Sequence, residues 1–145
     1  MGALADVIGD YRRALYAIVA DRLTGRKCAI EWRKPYIKGT IGLTARGEDP
    51  GSVKIFIDPA LDDTKQLDTF LHECAHGRLH YHLLPNNQEH EAPAASYRIV
   101  DRDRFTDDNR QDEQEADAMA VYWQSYCEDV TSISGKLSKL LSWSA

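Results

Sequence analysis

The sequence predicts an α+β fold: a small, mostly antiparallel sheet packed on one long helix and on a second helix that faces it. Three observations predict it. Apolar residues recur at helical spacing in four separate stretches. Between the first two of these stretches lie three short strand-like runs, separated by Gly- and Pro-containing turns. And 145 residues, 43% hydrophobic and 28% charged, suffice for one hydrophobic core, so 1–145 is expected to form a single domain.

The opening helix rests on Leu4, Val7, Ile8, Tyr11, Ala14, Leu15, Ile18 and Val19 and is expected to end near Gly25. Strand-like runs follow at 28–33 and 40–45, joined across Pro35 and Gly39. A turn-rich stretch, 46–52, leads into 53–57, where alternation puts Val53, Ile55 and Ile57 on one face. This third strand comes just before the next helix, which suggests a cleft edge where an extended peptide could pair. Asp58-Pro59 and Asp62-Asp63-Thr64 mark a helix start. The helix itself is expected over 67–83, burying Leu67, Phe70, Leu71, Cys74 and Leu79. The stretch 84–109, polar and with two prolines, is too long for an ordinary connection. It reads as a mobile flap over the cleft or as a disordered segment. In the next helix Ala116, Ala120, Trp123 and Cys127 form a small and apolar stripe, suited to close packing on the helix before it. Ile133, Leu137, Leu140 and Leu141 indicate a closing helix, with Trp143 either packed on it or exposed for a partner.

The chemistry concentrates in His72-Glu73-Cys74-Ala75-His76, an HExxH motif. Residues four apart share a helix face, so His72 and His76 can offer two imidazole nitrogens to one metal ion, while Glu73 can take a proton from bound water. Four of the chain's five histidines fall between positions 72 and 82. A catalytic zinc site keeps three protein ligands and one open position. For the third ligand, His82 reproduces the outer spacing of HExxHxxGxxH, but Leu79 stands where a glycine must bend the chain. The other candidates lie in Asp112-Glu113-Gln114-Glu115-Ala116-Asp117. Glu113 and Asp117 share a helical face, which favours Glu113 as ligand and Asp117 as acceptor for a ligand histidine's free N–H, with Glu115 as the alternative ligand. Helix-dipole stabilisation alone explains many acidic first turns, yet it does not account for the small-residue stripe beside this one. His80 follows His76 by one turn and reads as a supporting residue or as an oxyanion donor, a role open also to Tyr81, Tyr97 and Arg98.

His72-Glu73-Cys74-Ala75-His76-Gly77-Arg78-Leu79-His80, followed by Glu113-Gln114-Glu115-Ala116-Asp117-Ala118-Met119-Ala120, resembles the ImmA/IrrE family of metallo-endopeptidases. The resemblance covers the two helices and the strand before them, about half of the chain. It implies a compact minimal zincin fold, zinc on His72, His76 and Glu113, and Glu73 as general base. It further implies a protein or peptide substrate, of the kind of a bacterial or phage transcriptional repressor. A metal-containing regulatory binding module without proteolytic activity is the competing expectation.

A net charge of −5 without a basic stripe argues against a nucleic-acid or acidic-membrane partner. The densest positive stretch, from Arg22 to Lys38, reads as a solvated surface. Three widely spaced cysteines, Cys28, Cys74 and Cys127, form no CxxC pair, so neither a cysteine zinc site nor a disulfide scaffold is expected. No stretch has the length of a transmembrane helix, and the apolar run 15–20 lacks a signal-peptide layout, so a reducing cytoplasm is the expected compartment.

Overall fold

The computed structural model describes residues 2–35, 39–86 and 107–145, with 2–8 and 107–109 as backbone alone. In chain order the elements are α1 (Gly2–Thr24), β1 (Cys28–Glu31), β2 (Gly42–Arg46), β3 (Val53–Ile57), α2 (Asp63–Leu79), a 3₁₀ turn (Tyr81–Leu83), α3 (Asp107–Tyr126) and α4 (Ile133–Leu140). The expected α+β fold with a small sheet is what forms. Most of the flap expected over 84–109, together with Tyr97 and Arg98, lies outside the described residues.

The sheet has the order β1-β3-β2. β2 and β3 form an antiparallel hairpin closed by a tight turn, in which Ser52 N–H donates to Asp49 O and Gly51 takes a φ of 80°. Pro50 before Gly51 is the sequence that such a turn prefers. β1 pairs with β3 in parallel, so the sheet is mixed, with one pair of each kind. The strand just before α2 is therefore central and hydrogen-bonded on both sides. It cannot be the cleft edge, and that position falls to β2.

The period-2 pattern of β3 works as expected. Val53, Ile55 and Ile57 enter the main core, whereas Phe56 joins Leu43 and Ala45 on the opposite face beneath the Arg33 and Lys54 cations. Paired residues point the same way, so Gly42 and Thr44, opposite Ile57 and Ile55, face the helices.

α2 begins where Asp62 accepts the N–H of Lys65 at 2.8 Å. It buries Leu67, Phe70, Leu71, Cys74 and Ala75 completely or nearly so. It stops at Leu79, earlier than the expected 83, and Leu79 is 38% exposed, outside the core that its spacing suggested. α1 is also turned relative to expectation: Leu15, Tyr16, Val19, Ala20 and Leu23 are buried, while Tyr11, Ala14 and Ile18 face outward. α3 docks on α2; its Ala116 and Trp123, and Cys127 just after it, are fully buried in the main core, with Ala120 partly buried against it. Trp143 packs edge-on against Trp123, with ring centroids 5.5 Å apart, and donates Nε1–H to the Tyr122 hydroxyl. It is thus a core residue and not an exposed contact for a partner. Burial of Trp123 is worth about 3–5 kcal/mol by the usual cost of its truncation, enough to hold α3 in register. No helix among the described residues is long and apolar enough to cross a membrane.

Candidate metal centre

Four-residue spacing brings His72, His76 and the α2 C-cap residue His80 to the side of α2 that meets α3. α3 sets its carboxylates against them in the reverse order, Asp117 and Glu113 on His72, Glu113 on His76, and Glu115 and Asp112 on His80. The small side chain of Ala116, fully buried in this seam, lets the two helices approach.

Hydrogen positions follow from the partners. Asp117 Oδ1 lies 2.8 Å from His72 Nδ1, and a carboxylate only accepts, so that nitrogen carries the hydrogen. His72 Nε2 is left with a lone pair, yet it lies 2.8 Å from Glu113 Oε2, a second acceptor. His76 Nε2 is 3.1 Å from His72 Nε2 and 3.3 Å from Glu113 Oε1. Acceptors this close need a proton or a cation among them. The His72 pKa shows the same demand. Burial works against its charged form, but the hydrogen bond to Glu113 and the charges of Glu73, Glu113 and Asp117 outweigh burial and raise it.

Zinc holds nitrogen and oxygen ligands at about 2.0–2.2 Å in a tetrahedron, which separates neighbouring ligand atoms by about 3.3–3.5 Å. Here the two imidazole nitrogens are 3.1 Å apart, with one Glu113 oxygen 2.8 Å from His72 Nε2 and the other 3.3 Å from His76 Nε2, a cluster of similar size. His72, His76 and Glu113 are thus close enough together that they could hold a metal ion. The remaining third-ligand candidates sit elsewhere. Glu115 bonds His80 Nε2 at 2.9 Å, within a separate group that includes Asp112. His82 is exposed, belongs to neither group, and has its carbonyl held by Arg46 Nη2 at 2.6 Å.

Glu73, next to His72 on α2, is only 2% exposed and turns against β2. The Thr44 hydroxyl is 2.6 Å from Glu73 Oε1 and 3.0 Å from its carbonyl oxygen. Beside it, a Cβ on Gly42 would stand 3.1 Å from Glu73 Oε2 and 2.6 Å from Thr69 Cγ2, so only glycine lets the strand come this close. Sequence reasoning missed both β2 residues. Their local signal is a pair of small residues alternating with the apolar Leu43 and Ala45, but nothing local ties that face to a carboxylate 29 residues away.

Of the expected oxyanion donors, His80 is 5% exposed with both ring nitrogens engaged. The Tyr81 hydroxyl accepts the Gly51 N–H at 2.9 Å, and its ring lies 3.9 Å beneath the Arg26 guanidinium. Neither is aimed at the His72–Glu113 group. Cys74 is fully buried beside the motif, its thiol pushed far up by burial, as its expected packing role requires.

Comparison with protein-family models, with curated proteins and with solved structures finds no match to this chain. The likeness to the ImmA/IrrE family accordingly rests on its two motifs.

Proposed function

We propose that the protein is a zinc-dependent endopeptidase acting on a protein substrate, with His72, His76 and Glu113 as metal ligands and Glu73 as general base. The observation that carries this reading is the convergence of His72 Nε2, His76 Nε2 and the Glu113 carboxylate at 2.8, 3.1 and 3.3 Å, with the buried Glu73 next to His72 on the same helix. A structural zinc site is usually closed by four protein ligands and has no use for a carboxylate such as Glu73.

When bound, zinc lowers the pKa of a coordinated water and polarises a carbonyl. Glu73 accepts the water's proton and returns it to the departing amine. Thr44 orients the carboxylate by donating to Oε1. Asp117 keeps the His72 hydrogen on Nδ1. Substrate binding falls to β2. Gly47 N–H donates to Ser52 O across the hairpin, whereas Arg46 N–H donates outward to Pro85 O at 2.8 Å. By the same alternation the backbone groups of Gly42 and Thr44 point away from β3, where an extended peptide can add as a further strand beside Glu73. By its resemblance, the substrate class is a transcriptional repressor or a similar regulator. Three free, buried cysteines suit work in a reducing cytoplasm.

The test is cleavage of a proteome-derived peptide library by zinc-loaded wild type and by Glu73→Gln at equal zinc content. The reading expects cleavage by wild type alone. Equal inertness of both, together with tight binding of a protein partner, would establish the regulatory binding module instead.

A further inference from the structure

We infer that His80 is a positioning residue for His76: a neutral imidazole that accepts the His76 Nδ1–H and is itself fixed by Glu115, so that His76 presents a bare Nε2 to the cation. This rests on the metal-centre reading above.

The chain of reasoning starts at the protein surface. Glu115 Oε1 lies 2.9 Å from His80 Nε2, and its side chain is half-exposed, as an ionised carboxylate prefers. A carboxylate has no hydrogen to give, so His80 Nε2–H is the donor. A neutral imidazole has only one such hydrogen, which leaves a lone pair on His80 Nδ1. That lone pair meets His76 Nδ1 at 3.1 Å, and His76 must supply the hydrogen between them. His76 has then used its own, and its Nε2 faces His72 and Glu113 as a ligand. His72 receives the same instruction in one step from Asp117, and His76 in two steps through a histidine. His76 is 6% exposed, and the neighbour its Nδ1 meets is His80, the residue that caps α2.

His80, Asp112 and Glu115 also form a group close enough for a metal ion, which gives a competing reading of the same contacts. Proton counting separates the two. A cation on His80 Nε2 moves the His80 hydrogen to Nδ1. His76 must then accept there and turn an Nε2–H toward His72 and Glu113, which closes the first site to a cation. With neutral imidazoles the two sites exclude one another. The relay satisfies both nitrogens of His80 without a second ion, and Asp112 Oδ1, at 3.7 Å, stands outside hydrogen-bond range of Nε2.

The experiment measures zinc affinity by chelator competition for wild type, His80→Leu and His80→Asn, with long-range ¹H–¹⁵N spectra of the zinc-loaded wild type. An asparagine Oδ1 stands near the place of the histidine Nδ1 and keeps the acceptor; leucine removes it. Expected are a loss of about 10–100-fold in affinity for His80→Leu, near-wild-type affinity for His80→Asn, and spectra with His76 protonated on Nδ1 and His80 on Nε2. The spectra need no variant and stand even if His80→Leu fails to fold. The inference is overturned if His80→Leu folds and binds zinc as tightly as wild type, if His80 carries its hydrogen on Nδ1, or if wild type binds two equivalents of which Asp112→Ala loses one. In each of those results wild type still binds zinc at the first site or the second. A wild type that binds none sinks the metal-centre reading itself, and this inference with it.

Discussion

Glu73 and Glu113 are both carboxylates beside the same histidine pair, and they are held in opposite ways. Glu73 is 2% exposed, packed against Thr44 and Gly42 of β2. The Glu113 side chain is 23% exposed, and it reaches its place from α3, which begins after residues outside the description. The proposed base is thus part of the folded core, and the proposed ligand arrives with a docked helix. The contrast teaches where each kind of damage should appear: changes around Glu73 should alter chemistry and stability, whereas changes around Glu113 should alter metal retention first.

The largest expected effect is on the Glu73 side. Glu73→Gln should lower peptide hydrolysis by about 10²–10⁴-fold while zinc content, measured by elemental analysis, stays at the wild-type level. Loss of zinc in that variant would break the contrast, since Glu73 would then be acting as a ligand. Next comes Thr44→Val, which keeps the shape but strips a buried carboxylate of a donor. It should cost about 1.5–3 kcal/mol in urea unfolding and reduce turnover without changing zinc affinity. Gly42→Ala should destabilise by about 1–3 kcal/mol through overpacking on Thr69 and Glu73. Unchanged stability there would mean that β2 does not press on Glu73 as described.

At Asp117, on the α3 side, the expected effect is smaller and confined to the metal. Asp117→Ala should weaken zinc at the low end of about 10–100-fold, because the Asp117 side chain is 71% exposed and water can replace part of its bond to His72. Unfolding of the metal-free protein should barely change in this variant.

The raised pKa of His72 adds a pH test. A base whose folded pKa exceeds its unfolded value of 6.5 adds stability that is full below that value and is lost as pH rises through the folded one. The metal-free protein should therefore have a lower urea midpoint above the His72 pKa than at pH 6. Zinc affinity should run the other way and increase with pH, because the cation takes the proton's place. A pH-independent midpoint for the metal-free chain would contradict the crowding of acceptors around His72.

How much of this was legible in the sequence differs between the same two sides. The helix pair was readable because its signals are local: Asp62 as N-cap, the four-residue spacing of His72, His76 and His80, and the shared face of Glu113 and Asp117. The alternation of Val53, Ile55 and Ile57 also fixed which face of β3 enters the core. Strand order was not readable, because pairing β1 with β3 in parallel depends on contacts that no local pattern encodes. That is why the strand before α2 was expected at an edge and is found in the centre. α1 carries two adjoining apolar stripes, and the choice between them is made by β1, α2 and α4, which pack on α1 and leave Leu15, Val19 and Leu23 buried and Ile18 outside. Leu79 fell out of the core because α2 ends there and His80 turns the chain. Thr44 and Gly42 became visible only once the fold had brought β2 onto Glu73.

The most direct test of the account is metal stoichiometry by elemental analysis across wild type, Glu113→Ala, Glu115→Ala and His82→Ala. The account predicts one zinc per chain in wild type, retained in Glu115→Ala and His82→Ala and lost in Glu113→Ala. A wild type without stoichiometric metal, or a Glu113→Ala protein that keeps its zinc, would contradict it.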